Sequence, residues 1–235
     1  MKVVRPDRRR TRRTGFPEVV MAEGKTPEQV SEALEALLRS EGIAIASRVD
    51  PELLDDLEIP EDADVEYDEA GRVLVLKDPE YEPPYRGGRV GAVAAGTSDL
   101  PYLSECATVL EALGIEVHTE IDVGVAGPHR LLAAVRRLRK FRPHAVVAAA
   151  GMDGTMPVAL NAMLDVPVIG LPTPVGYGLG GSGEAALLGM LQSCSPGLVV
   201  VNVANGIGAA AAAVKIVRVC LEGEKPSKKP RNSRR

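Results

Sequence analysis

Between residues 87 and 222 five short apolar runs alternate with stretches of helical periodicity, and this alternation restricts the fold more than any other feature. The first run, Arg89-Val90-Gly91-Ala92-Val93-Ala94-Ala95-Gly96, is apolar without a break after Arg89. It reads as a strand buried on both faces. A helix is expected at about 99–113, then a strand at 115–121, a helix at 128–140, a strand at 145–149 and a helix at 155–164. A strand at 166–171, a Gly-rich loop, a helix at 183–192, a strand at 198–203 and a helix at 207–221 complete the series. Alternation of this kind implies right-handed crossovers and a mostly parallel sheet with helices on both faces, an α/β domain. Ligands of such sheets bind beyond the carboxyl ends of the strands.

The preceding residues have a different texture. Residues 1–20 are expected to be an extended, mobile basic end, and 21–86 a small accessory α+β segment. In that segment Thr26-Pro27-Glu28 opens a helix whose Val30, Ala33, Leu34, Leu37 and Leu38 share one face. Residues 43–46 form a short strand, and 65–67 with 72–76 form a hairpin around Ala70-Gly71. Residues 223–235 are a second basic tail. With no Trp and only two Phe, the core must be built from Ala, Val, Leu and Ile.

The net charge of −4 provides no general attraction for nucleic acid or membranes. The basic ends (Arg5, Arg8, Arg9, Arg10, Arg12 and Arg13; Lys225, Lys228, Lys229, Arg231, Arg234 and Arg235) read as solvated termini, with an anionic partner as the alternative. Cys106, Cys194 and Cys220 are sparse and lack CxxC spacing, which argues against a disulfide framework or structural zinc. Neither a secretory signal nor an apolar stretch long enough to span a bilayer is present, so a cytoplasmic location is expected. The last helix, with Ala209-Ala210-Ala211-Ala212-Ala213-Val214, is apolar nearly all round. Such a helix is buried in the core or between subunits, and a homo-oligomer is expected.

Four loops at the strand ends carry candidate chemistry. Gly96-Thr97-Ser98-Asp99 suits a phosphate at a helix start, or equally a helix cap. Gly151-Met152-Asp153-Gly154-Thr155 holds a carboxylate between glycines, placed for a base or a ribose contact, or again for a cap. Gly124-Val125-Ala126-Gly127-Pro128-His129-Arg130 offers His129 for proton transfer or anion binding, against a purely structural histidine. The loop Gly176-Tyr177-Gly178-Leu179-Gly180-Gly181-Ser182-Gly183 reads as backbone lying against a ligand, against a flexible connector. Cys194 differs from Cys106 and Cys220 in lying among turn residues, Ser193-Cys194-Ser195-Pro196-Gly197. It is either a nucleophile or an inert apolar residue.

These segments, with Thr14-Gly15-Phe16-Pro17-Glu18-Val19-Val20, Glu23-Gly24-Lys25-Thr26-Pro27-Glu28 and Pro172-Thr173-Pro174-Val175-Gly176-Tyr177-Gly178, resemble the pyridinium-3,5-biscarboxylate mononucleotide synthase family, LarB. The C-terminal half is also similar to the phosphoribosylaminoimidazole carboxylase (PurE-like) family. The resemblance implies a PurE-like, Rossmann-like three-layer fold, an octamer and a role in nickel-pincer cofactor synthesis. The implied reaction carboxylates nicotinic acid adenine dinucleotide and hydrolyses its phosphoanhydride, giving the biscarboxylated mononucleotide and AMP. It implies Cys194 as nucleophile, Asp153 as the catalytic carboxylate and His129 beside them. Substrate contacts are implied at Gly96, Thr97, Ser98, Asp99, Gly127, Arg130, Gly151, Met152, Gly154, Gly178 and Gly181. Carbon dioxide or bicarbonate is the co-substrate. No tightly bound cofactor or protein-held metal is expected, although Mg²⁺ bridging the pyrophosphate would need only carboxylates and substrate oxygens. The family typically has Glu at the position of Asp153, and Asp before Asn where this chain has Ala204-Asn205. The alternatives are an aminoimidazole ribotide carboxylase, whose family has a histidine in the loop where this chain offers Asp153 and Thr155, and a non-enzymatic nucleotide- or nucleic-acid-binding protein.

Overall fold

The computed structural model describes residues 4–224. The N-terminal part comprises α1 (Arg10–Thr14), β1 (Val19–Met21), α2 (Pro27–Glu41), β2 (Ile43–Ser47), α3 (Pro51–Asp55), β3 (Asp64–Asp68) and β4 (Val73–Lys77). The remainder contains β5 (Arg89–Ala94), α4 (Leu100–Ala112), β6 (Glu116–Glu120), α5 (Pro128–Phe141), β7 (Ala145–Ala150) and α6 (Thr155–Met163). It ends with β8 (Val168–Pro172), α7 (Glu184–Leu191), β9 (Val199–Val200) and α8 (Gly206–Glu224).

The second sheet has the order β6-β5-β7-β8-β9 and is parallel throughout. Helices α4 and α8 pack on one face, while α5, α6 and α7 pack on the other. This is the three-layer α/β architecture expected from the alternation. Side chains of β7 divide accordingly: Val147 and Ala149 join the α4–α8 side, Val146 and Ala148 the other. The last strand is shorter than the expected 198–203. Beyond Val200 the chain bonds to β8 only through Val201 N–H to the Gly170 carbonyl and Ala204 N–H to the Pro172 carbonyl. It then turns through Ala204, in the left-handed region at φ 53°, into α8.

The N-terminal sheet has the order β1-β2-β4-β3, with only the β1–β2 pair parallel. Helix α2 starts as its sequence indicates: Thr26 and Gln29 form a reciprocal capping box with Pro27 in the first turn, and Gly42 ends the helix at φ 71°. Its apolar face packs on Ala44, Ala46, Leu74 and Leu76. The opposite face of that sheet, Ile43, Ile45, Val73 and Val75, joins the core formed by α4 and α8. The N-terminal segment is therefore a layer of the main core, and α4 and α8 lie between two sheets. Sequence periodicity shows that a strand has two apolar faces but not what covers the second.

Two expectations change as a result. Residues 1–20, read as an extended end, contain α1 and most of the edge strand β1, and Arg13 pairs with Asp7 at 2.5 Å. Helix α8 turns one face into the core shared by the two sheets, through Ala209, Ala210, Ala213, Val214 and Val217, while Lys215, Arg218 and Val219 on its other face are exposed. An apolar helix without such cover is α7: only Ala186 and Met190 are buried, and Leu188 and Leu191 are 58% and 59% exposed. Val199 of the adjacent edge strand, Tyr177 and Leu179 are exposed as well. Among the described residues, no helix is long and apolar enough to cross a membrane. Residues 225–235 of the basic tail lie outside the described residues.

Candidate functional site

The connections from β5 and β7 leave the sheet in opposite directions, and a crevice opens beyond their carboxyl ends. A cleft of about 300 Å³ lies there, lined by Gly96, Ser98 and Asp99 after β5, Gly124–Ala126 after β6, Gly151–Asp153 and Thr155 after β7, and Val175 after β8.

The expected cap readings and ligand readings divide between these loops on geometry. Asp99 is buried, and both of its oxygens are engaged: Oδ2 accepts from Gly96 N at 2.9 Å, and Oδ1 from Thr173 Oγ1 at 2.5 Å. Asp99 thus shapes the floor by fixing the backbone around it. Gly151 and Gly154 are needed by the protein itself. A Cβ at Gly151 would stand 2.0 Å from the Val175 carbonyl oxygen, and one at Gly154, where φ is 67°, 2.5 Å from that of Ala186. Gly96 is different, because its φ is an ordinary −136° and its nearest neighbour, Asp99 Oδ2, would lie 3.6 Å from a Cβ. No steric demand of the fold calls for glycine there. The vacant space belongs to the cleft and suits close approach of a ligand.

Asp153 stands exposed at the mouth, with Oδ1 accepting from Thr155 N at 3.1 Å and Oδ2 turned to neither backbone nor side-chain donor among the described residues. Met152, at φ 50°, donates its N–H to the Val175 carbonyl at 2.8 Å and leaves its side chain half exposed. His129 is exposed on the first turn of α5, outside the cleft wall; Arg130 beside it is paired with Asp122. Thr97, Gly127, Gly154, Gly178 and Gly181 likewise occupy the rim loops without lining the cleft.

Cys194 is not brought to this cleft by its own chain. It is exposed in the turn between α7 and β9, at the amino ends of the strands. Asn161 holds that turn, donating to Ser195 Oγ at 2.8 Å and the Pro196 carbonyl at 3.0 Å. Asn161 lies six residues beyond Thr155 on α6, about 9 Å along the axis. Cys106 is fully buried, and burial pushes its thiol well above the ordinary range, as expected of an inert core residue.

Three contributors were not singled out from the sequence. Thr173 carries the hydroxyl that holds Asp99, and its signal is a polar residue between two prolines at a strand end. Val175 forms part of the wall. Glu105, buried on α4, accepts from Gly206 N at 2.9 Å and so caps α8; burial raises its carboxyl, while nearby Arg48 opposes the rise. A wider depression of about 910 Å³ at the other end of the sheet is lined by Arg89, Arg139 and Arg142 among others. There Arg139 donates to the Met163 carbonyl at 2.6 Å and Arg89 to that of Arg142 at 3.0 Å, satisfying carbonyls at helix C-termini. No group of three or more His, Cys, Asp or Glu among the described residues could hold a metal ion.

Residues 1–78 match the family model described as the LarB/PurE-like N-terminal domain, and residues 89–228 match that of AIR carboxylase. An uncharacterized protein of Methanocaldococcus jannaschii is 40% identical over 212 residues, covering 88% of this chain and 81% of its own length. An N5-carboxyaminoimidazole ribonucleotide mutase of Thermotoga maritima is 25% identical over 126 residues, 54% of this chain and 74% of the mutase. A phosphoribosylaminoimidazole carboxylase of Saccharomyces cerevisiae is 32% identical over 83 residues, 35% of this chain and 14% of that protein.

Proposed function

Since the chain belongs to the LarB family, joining a LarB/PurE-like N-terminal domain to an AIR carboxylase domain, we propose that it carboxylates the pyridinium ring of nicotinic acid adenine dinucleotide and cleaves the phosphoanhydride to release AMP. The observation that carries this reading within the carboxylase family is the cleft itself. Its floor at Gly96 leaves room for a ligand, and the Asp153 carboxylate stands at its mouth.

The pyridinium ring is electron-poor and does not attack carbon dioxide. Addition of a thiolate at C4 produces a neutral dihydropyridine in which the ring nitrogen feeds electrons to C5. C5 then bonds to carbon dioxide, a base removes the C5 proton, and expulsion of the thiolate from C4 restores the aromatic ring. Cys194 is the thiol in this reading and Asp153 the base. His129, at the N-terminal turn of α5, holds the phosphates or relays the proton. Water cleaves the phosphoanhydride in a separate step.

Cys194 and Asp153 lie at opposite ends of the strands in one chain, so in this reading the thiol comes from a neighbouring copy. The uncovered apolar surface of α7, just before Cys194, supports such an assembly, and an octamer is the form proposed. Incubation with the dinucleotide and ¹³C-bicarbonate, followed by mass spectrometry, tests the reaction. AMP and a labelled biscarboxylated mononucleotide are expected; release of neither would overturn the proposal. The second reading, aminoimidazole ribotide carboxylation, draws on similarity to the mutase and carboxylase relatives. Turnover of that substrate by Cys194→Ala protein would favour it.

A further inference from the structure

Among the described residues, Arg48 links the N-terminal domain to the rim of the second sheet by a side-chain hydrogen bond. Arg48 follows β2, is half-buried, and is held by Glu23 at 2.7 Å. Its other terminal nitrogen donates to the carbonyl of Ala204 at 3.3 Å, across 156 residues of sequence. Ala204 is the left-handed residue at which the chain leaves β9 for α8. Alanine resists that conformation, so the turn is kept by its bonds rather than by its own preference.

From Ala204 the bonds continue to the cleft. Its N–H donates to the Pro172 carbonyl at 2.9 Å. The next residue, Thr173, donates its hydroxyl to Asp99 at 2.5 Å, and Asp99 accepts from Gly96 N at 2.9 Å. We propose that Arg48 is a positioning residue for the cleft. By holding the Ala204 carbonyl it lets the N-terminal domain set Thr173 and Asp99, and through them the Gly96 floor on which the ligand rests. This rests on the reading of that cleft as the substrate site. The first domain thereby acquires a function of its own, because a PurE-like sheet extended by a second sheet gains a guanidinium that acts on its rim. A contiguous set of bonds permits such coupling, and only a measurement of coupling establishes it.

Hydrogen exchange on the full-length chain provides the test, with Arg48→Ala, Arg48→Lys and, as control, Arg72→Ala, which breaks the Arg72–Asp50 ion pair of the same domain. In Arg48→Ala, peptides covering 94–100 and 171–176 should exchange about three- to tenfold faster, while α2 is unaffected. Lysine, which can still donate to the carbonyl, should restore most of the protection, and Arg72→Ala should leave both peptides unchanged. KM for nicotinic acid adenine dinucleotide should rise severalfold in Arg48→Ala with kcat nearly constant. Unchanged exchange in the two peptides, or a uniform rise throughout the chain, would refute the positioning role. If Arg48→Ala does not fold, Glu23→Gln, which loosens the same guanidinium, is read on the same peptides with the same expectation. Should the wild-type protein neither bind nor turn over the dinucleotide, the substrate reading fails, while the exchange result still decides the role of Arg48.

Discussion

Thr173 donates its hydroxyl to the buried carboxylate of Asp99 at 2.5 Å, tying the end of β8 to that of β5 beneath the cleft. The two residues are 74 positions apart, and neither is exposed. Thr173→Val keeps the shape of the side chain but leaves one carboxylate oxygen without its donor. The expected loss is about 2 kcal/mol, as for a hydrogen bond to a charged group. Urea denaturation should show a lower midpoint with an unchanged slope. An unchanged midpoint would mean that water replaces the hydroxyl and that the tie contributes little.

Thiol reactivity should follow exposure. Iodoacetamide applied to the native protein is expected to modify Cys194 and to spare Cys106, whose burial both blocks access and disfavours the thiolate. Saturating nicotinic acid adenine dinucleotide should slow labelling of Cys194. Peptide mass spectrometry distinguishes the sites; equal labelling with and without dinucleotide would separate Cys194 from the substrate site.

The carboxylate at the cleft mouth makes a second chemical prediction. Asp153→Asn retains an oxygen to accept from Thr155 N but cannot take a proton, so carboxylation should fall by about 10²-fold or more with little change in stability. Asp153→Glu, which restores the side chain typical of the family, should keep activity or raise it, since displacement of a catalytic group by about 1 Å alters rates substantially. Full activity in Asp153→Asn would remove this residue from the proton-transfer step.

Glu105 makes stability depend on pH with a definite sign. Burial raises its carboxyl above the ordinary 4.5. Between that value and the raised one, the folded chain keeps a proton that the unfolded chain has released. Its contribution to stability is therefore full below pH 4.5 and declines as pH rises across the window. Glu105→Gln still presents an oxygen to Gly206 N but does not titrate. Its stability relative to wild type should increase across that window and level off above it, as measured by urea midpoints between about pH 4 and 8. A constant difference would show that Glu105 titrates alike in both states.

The sheet, its crossovers and the rim position of Gly96–Asp99 and Gly151–Asp153 were legible in the sequence, because short apolar runs such as 90–95, each ending at glycine or a turn and alternating with amphipathic stretches, read as doubly covered strands. The placement of β1 and the second cover of β2 and β4 were not, since Val19, Ile43 and Val73 show only that a face is apolar. The roles of the glycines were not legible either. Gly96 and Gly151 look alike in sequence, and only the Val175 carbonyl beside Gly151 reveals which of them the fold itself requires. Cys194 stood out by its turn neighbours, but those neighbours do not show at which end of the strands the turn lies, and its own chain leaves it at the amino ends, away from the cleft.

That last relationship can be tested without a structure of the assembly. If Cys194 of one copy serves Asp153 of another, Cys194→Ala and Asp153→Asn proteins are each inactive, yet mixed assemblies contain some sites with both groups intact. Dissociating and reassembling the two variants together should recover a fraction of wild-type turnover, on the order of a quarter for random pairing of a two-chain site. Leu188→Glu, placing a charge on the exposed apolar face of α7, should lower the assembly size in light scattering and abolish both turnover and complementation. Failure of the mixed variants to regain activity, while each still assembles, would show that thiol and carboxylate do not meet across an interface.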